Sequence, residues 1–301
     1  MPPEIKTSNQ LSLTDLVGSG VVIVAGKGGV GKTTVTAVLA RAAAESGRRV
    51  LVVELDGKPT LDALLPASTP HVEVRHVSAA ASLEEYLLDH GFGRIAQRLA
   101  ATGVIDVVGT AAPGIDDLVV LGKIRQFEHS GRWDVIIVDG PAAGHAITFL
   151  TGAAALLDAA PGGPIGEQAR SVAAMLRDPA RCRVVLVTLP ETTPVSELLE
   201  TASTLEERVG VTLGPIVVDQ VDESEPLPDP DTVRFGRTAA QVDDAVAAAT
   251  FRRARRQVQD DALARLTAAL PLPRLLVRAI PTVHLGADDV STLASEISRW
   301  D

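Results

Sequence analysis

The eight residues Gly26-Lys27-Gly28-Gly29-Val30-Gly31-Lys32-Thr33 constrain this chain more than any other stretch. They follow the apolar run Val21-Val22-Ile23-Val24-Ala25 and precede Thr34 to Ala44, which is rich in Ala, Val and Leu. The first run reads as a buried strand and the second as a helix, so the glycines turn the chain between them. A strand, a glycine-rich turn and a helix start collect unpaired N–H groups and the positive end of the helix at one point. Such a point binds anionic oxygens. The spacing of a glycine, four residues, then Gly-Lys-Thr adds a cation and a hydroxyl to those amides. Lys32 is expected to reach the β- and γ-phosphates of a nucleotide, and Thr33 to hold Mg²⁺. The candidate cradle is Gly26, Gly28, Gly29, Val30, Gly31, Lys32, Thr33 and Thr34.

Short apolar runs alternate with longer amphipathic ones along the rest of the chain. Strands are expected at Arg49 to Leu55, His71 to Val77, Val135 to Val138, Val184 to Leu189, Leu213 to Val218 and Arg274 to Ile280. Helices are expected between them, among them Ser82 to Ala100, Pro113 to Phe127 and Val195 to Val209. This alternation predicts an α/β fold: a mostly parallel, doubly wound sheet with helices on both faces, of the P-loop NTPase kind. Residues 1–18, polar and proline-bearing, read as a flexible lead, and residues 19–301 as a single domain. Two segments interrupt the rhythm: an acidic, proline-rich loop at 219–232 and a helical stretch at 238–270, one helix or two. The cluster Arg252, Arg253, Arg255 and Arg256 within it reads as a solvated helix face.

Composition removes several classes of function. Lys plus Arg is 28 against 38 Asp plus Glu, a net charge of −10, which disfavours a surface for nucleic acid. The aromatic fraction of 3% is too low for a base-stacking platform. The one cysteine, Cys182, excludes an intrachain disulfide and a thiolate cluster; it reads as buried at a strand start, with a lowered-pKa thiol between Arg181 and Arg183 the other option. No run is long and apolar enough to cross a membrane, so the expected location is cytoplasmic, with peripheral membrane contact left open.

Hydrolysis needs more than a cradle. Asp139 ends the apolar strand Val135-Ile136-Ile137-Val138 and emerges at the carboxyl edge of the sheet, where it can hold a Mg²⁺-bound water. Asp56 follows the strand ending at Leu55 and is the candidate for orienting the attacking water. Thr33, Asp56 and Asp139 form the candidate metal-facing set, and Lys27, Lys32 and Asp56 the candidate catalytic set. A loop at Gly140 to His145 is expected to sense the γ-phosphate.

A lysine at the second position of the glycine motif resembles the deviant loop of the MinD/ParA and arsenite-pump ATPases. Asp139-Gly-Pro-Ala-Ala-Gly-His145 is similar to the second switch of the arsenite-pump and tail-anchored-protein-targeting ATPases. Ala112-Pro-Gly-Ile-Asp-Asp117, Leu55-Asp-Gly-Lys-Pro-Thr-Leu-Asp-Ala63 and Ile280-Pro-Thr-Val283 resemble further segments of that family, and Gly163-Pro-Ile with Val187-Thr-Leu-Pro-Glu191 is like its short actinobacterial members. The resemblance implies ATP and Mg²⁺ as cofactors and Lys27 acting across the interface of a homodimer, or of a heterodimer with a paralogue. It also implies base contacts from Asp219 and Pro281. The chain departs from the family in three places. Gly57-Lys58-Pro59 replaces the usual first-switch residues. Asp219 stands where an adenine-reading Asn is common, and a carboxylate only accepts hydrogen bonds where an amide does both. The zinc- and arsenite-binding cysteines are absent. The expected function is a Mg²⁺-dependent ATPase whose dimer cycle handles a client or partner protein. The alternative is a nucleotide-gated binding subunit with negligible hydrolysis.

Overall fold

The computed structural model describes residues 20–55, 60–89, 114–159, 162–225 and 238–297. Seven strands form one sheet: β1 (Gly20–Gly26), β2 (Val50–Glu54), β3 (Val72–His76), β4 (Val135–Ala142), β5 (Cys182–Thr188), β6 (Leu213–Val221) and β7 (Arg274–Arg278). Their order across the sheet is β3-β2-β4-β1-β5-β6-β7, and every ladder is parallel. The described helices are α1 (Lys32–Glu45), α2 (Thr60–Leu64), α3 (Ala79–Asp89), α4 (Ile115–His129), α5 (Ala143–Ala159), α6 (Gly163–Arg177), α7 (Thr192–Thr204), α8 (Ala239–Ala269) and α9 (Ala287–Ile297). A π-turn at Leu205–Val209 extends α7.

Strand β1 explains the layering. Val21, Ile23 and Ala25 enter one apolar core with residues of α4, α5, α6 and α7. Val22 and Val24 enter a second core with α1 and α9 on the other face. A strand covered on both sides needs an unbroken apolar sequence, which is what Val21 to Ala25 supplies. Ile23 and Leu39 are fully buried, each contributing about 2 kcal/mol of apolar burial. The α/β, mostly parallel, doubly wound architecture expected from the sequence is the one observed.

The chain leaves β1 toward β2 by way of α1, and β5 lies on the opposite side of β1. The sheet therefore has its switch point at β1, and a crevice opens there beyond the carboxyl ends of the strands.

Three expectations change, and one left open is decided. The loop expected at Gly140 to His145 is absent: β4 runs on to Ala142 and α5 begins at Ala143. A side chain at Gly140 would run into the Val24 carbonyl, so this glycine lets β4 continue beside β1 across the register break between Val24 and Gly26. Strand β6 reaches Val221, so Asp219 and Gln220 belong to the sheet and not to the acidic loop, whose residues 226–237 lie outside the described ones. The stretch at 238–270 is one helix. Thr238 and Gln241 form a reciprocal cap at its start, each bonding the other's main-chain N–H. The arginine cluster is tethered more than solvated: Arg252 pairs with Asp222 at 2.8 Å, Arg256 donates to the Ser224 carbonyl at 2.6 Å, and Arg255 lies 3.5 Å from Glu191. Of the remaining expectations, the N-terminal segment, the second half of the helix expected at Ser82 to Ala100, Ala112-Pro113 and the first-switch residues 56–59 lie outside the described residues.

Candidate functional site

Strands β1 and β4 are neighbours, in register from Gly20 with Val135 to Val24 with Asp139. This sets Asp139 at the sheet edge beside the start of the glycine turn. Thr33 Oγ1 donates to Asp139 Oδ2 at 2.8 Å, and Thr36 Oγ1 donates to Oδ1 at 3.3 Å. Thr36 escaped the sequence reading, although residues three apart share a helix face and its position relative to Thr33 could have revealed it.

The turn itself is bent by Gly29 and Gly31, both at φ 87°, in the left-handed region. Val35 N–H bonds to the Gly31 carbonyl at 2.8 Å and starts the helical ladder. Gly31, at the amino end of α1, makes no side-chain capping bond, and a helix start of this kind turns main-chain amides toward an anion. Lys32 donates Nζ to the Lys27 carbonyl oxygen at 3.1 Å. Gly26 ends β1 between Ala142 and Val187, Val30 is buried, and Thr34 sits in the first turn of α1.

Lys27 is half-exposed and forms an ion pair with Glu197 of α7 in the same chain. Glu197 lies 170 positions away, and no local signal pointed to it. Nothing stands within 4 Å of where a side chain would begin at Gly28 or Gly29, so the loop is open on that side.

Asp56 lies outside the described residues. Glu54, two positions earlier, is buried and in register with Asp139 on one side and His76 on the other. His76 Nδ1 lies 2.8 Å from its Oε2.

Asp219 is 4% exposed, and its carboxylate lies against Gly31, where any side chain would overlap it. Burial pushes the Asp219 carboxyl up to about 7, against the opposing pull of hydrogen bonds from the main chain and side chain of Gln220. Pro281, with Ile280, lines a cavity of about 1000 Å³ bounded by the ends of β6 and β7, the start of α7 and α8. Gln220, exposed, also faces that cavity. His145 is exposed on α5. Cys182 is buried and its thiol is pushed up to about 12 by desolvation, which settles it as a packing residue and not a reactive thiolate. Among the described residues no three His, Cys, Asp or Glu side chains converge as a metal cluster, and no helix is long and apolar enough to cross a membrane.

A parallel sheet with an uncapped helix start, a glycine turn and a threonine–aspartate pair at its switch point defines a P-loop nucleotide-binding protein. The sequence profile of the anion-transporting ATPase family matches residues 19–158. The chain is 30% identical over 311 residues to the ATPase BagA of Mycobacterium tuberculosis, covering 91% of this chain and 90% of that one. It is 29% identical over 218 residues to an arsenical pump-driving ATPase of Escherichia coli, covering 69% of this chain and 37% of that longer protein. A putative arsenical pump-driving ATPase of Halobacterium salinarum is 24% identical over 306 residues, 92% of this chain and 44% of that one. This chain belongs to the ArsA-like family of anion-transporting ATPases.

Proposed function

We propose that the chain is a Mg²⁺-dependent ATP hydrolase whose ATP-driven dimer cycle handles a client or partner protein, working in the cytoplasm as a single domain. The observation that carries this reading is the bond from Thr33 to Asp139 directly below the uncapped start of α1. A hydroxyl and a carboxylate held 2.8 Å apart are hard oxygen donors of the type Mg²⁺ accepts, alongside waters and phosphate oxygens. The residues present therefore fit the ion, which when bound would neutralise charge on the transferring phosphoryl group. Thr33 would offer its hydroxyl, and Asp139 would hold a coordinated water and orient that hydroxyl.

Lys32 stands at the first position of α1, from which its ammonium turns from the Lys27 carbonyl to the terminal phosphates. The amides of Gly28 to Thr34 would cradle the remaining phosphate oxygens. Asp56 is the proposed orienting group for water. Asp219 and Pro281 are proposed to flank the base, Asp219 from beneath the loop and Pro281 from the cavity wall. Lys27 is the proposed cation supplied across a dimer interface, where it would neutralise developing charge only in the closed form. Its pairing with Glu197 then describes a resting arrangement, released on closure. The arsenite chemistry named for the pump relatives is not carried over, since a single cysteine cannot build a three-thiolate site. The partner is a second copy or a paralogue.

Single-turnover phosphate release tests the reading. Wild type mixed with limiting Mg·ATP should release phosphate, and Lys32→Ala should bind ATP weakly and release none. Tight ATP binding by wild type with no phosphate released would replace this reading with the nucleotide-gated binding subunit.

A further inference from the structure

We propose that Glu54 is a second carboxylate of the magnesium site, accepting from a water that the ion carries, and that His76 is the positioning residue that holds it there. The inference deepens the ATPase reading above and rests on it.

The apolar run of β2 ends in an acid. Val50, Leu51, Val52 and Val53 are buried, as a parallel strand covered on both faces requires. Glu54 follows them and is buried too, at 2% exposed. A carboxylate in such a place is strongly disfavoured without a counter-charge.

The sheet decides where that carboxylate points. Successive strand residues face opposite sides. Val50 and Val52 enter the core that holds α1, and Leu51 and Val53 enter the other. Glu54 therefore lies on the α1 face. On β4, Val135 and Ile137 enter the same core as α1, which sets Asp139 on that face, where it accepts from Thr33 and Thr36. Glu54 is in register with Asp139 on one side and with His76 on the other. The three side chains form a row across one face of the sheet edge, on strands roughly 4.8 Å apart.

His76 stands at the outer end of the row. Its Nδ1 lies 2.8 Å from Glu54 Oε2, and its ring is half-exposed. A carboxylate has about four lone-pair sites, so one ring nitrogen leaves Glu54 with acceptor capacity toward Asp139. Two neighbouring carboxylates on one face repel each other unless a cation stands near both. Mg²⁺ keeps several waters and is held by one or two carboxylates together with substrate phosphates. Thr33 and Asp139 offer one part of that donor set, and Glu54 extends it. Glu54 thereby couples ATP uptake to the ion: its charge opposes a bare triphosphate and favours one that arrives with Mg²⁺.

Calorimetric titration of the full chain with ATP, in excess Mg²⁺ and in EDTA, tests the proposal on wild type, Glu54→Gln, Glu54→Leu, His76→Asn and His76→Leu, each checked for a cooperative melt. The quantity read is the ratio of the two ATP affinities. Glu54→Gln keeps the shape and removes the charge, so it should lower that ratio by about tenfold or more, through tighter binding in EDTA. Glu54→Leu, which suits a buried strand, should do the same. Where wild type takes up no ATP in EDTA, both Glu54 variants should do so measurably. His76→Asn keeps an N–H near the Nδ1 position and should hold the ratio within about twofold of wild type, whereas His76→Leu should lower it by about two- to fivefold. A ratio in the Glu54 variants equal to or above that of wild type, including an equal loss of affinity in both media, would make Glu54 a residue of the fold alone and overturn the proposal while leaving nucleotide binding intact. A ratio moved alike by both His76 variants, or by neither, would overturn the role given to His76. Uptake of ATP by wild type in neither medium would overturn both this and the ATPase reading.

Discussion

At the scale of single residues, two carboxylates near the cradle behave in opposite ways. Asp139 accepts from two hydroxyls, and replacing it with Asn removes the charge while keeping the shape. Asp139→Asn should slow phosphate release by roughly 100-fold or more, with the thermal midpoint moved by only a few degrees. Stopped-flow phosphate detection beside a melting curve separates the two effects. Asp219 is buried with its carboxyl raised to about 7. A carboxyl raised in the folded state binds its proton more tightly there than in the unfolded chain. Its contribution therefore favours the fold at acid pH, weakens as pH rises from about 4 toward about 7, and is level above that. Asp219→Asn should accordingly melt higher than wild type above pH 7, with the gap closing toward pH 4; a gap that is constant with pH would show that the group does not titrate in this range. The approach of Thr33 to Asp139 was legible, because one belongs to an eight-residue pattern and the other ends an apolar strand. The pairing of Lys27 with Glu197 was not, because only the tertiary arrangement brings the two near.

At the scale of elements, α7 touches the glycine turn through one side chain. It carries Glu197, which holds Lys27 within its own chain. Both groups are about half-exposed, so the pair contributes at most about 1 kcal/mol. Glu197→Gln should then lower the ATP concentration needed for half-maximal dimer formation by about two- to fivefold, read by light scattering. A rise in that concentration would place Glu197 on the side of closure instead. Helix α8 is fastened by Asp222 to Arg252, a pair that holds the Asp222 carboxyl well below the usual carboxylate range. The strands flanking the cradle were predictable from apolar runs buried on both faces. The continuation of β4 into α5 was not. Gly140 and Pro141 are turn residues by composition, and only the close approach of Gly140 to the Val24 carbonyl shows that the glycine serves strand packing. The register shift of β6 against β7 between Val218 and Val221 was hidden for the same reason: register depends on the neighbouring strand, not on the local sequence.

At the scale of the whole molecule, the doubly wound sheet gathers its chemistry at one edge, where β1, β4 and β6 end. Fold class followed from the alternation of apolar runs, and family followed from the glycine turn and the segment after Asp139. Oligomeric behaviour is a property of surfaces and of bound nucleotide, and the proposed closed dimer rests on the position of Lys27 in the glycine turn. On this account the closed assembly, and not the lone chain, is the catalyst. Phosphate release from Mg·ATP at rising protein concentration, with wild type beside Lys27→Ala, tests that most directly. The account predicts that activity per wild-type chain rises with concentration, and that Lys27→Ala binds ATP yet turns over roughly 100-fold more slowly at every concentration. Activity per chain that is independent of concentration, with Lys27→Ala equal to wild type, would contradict it.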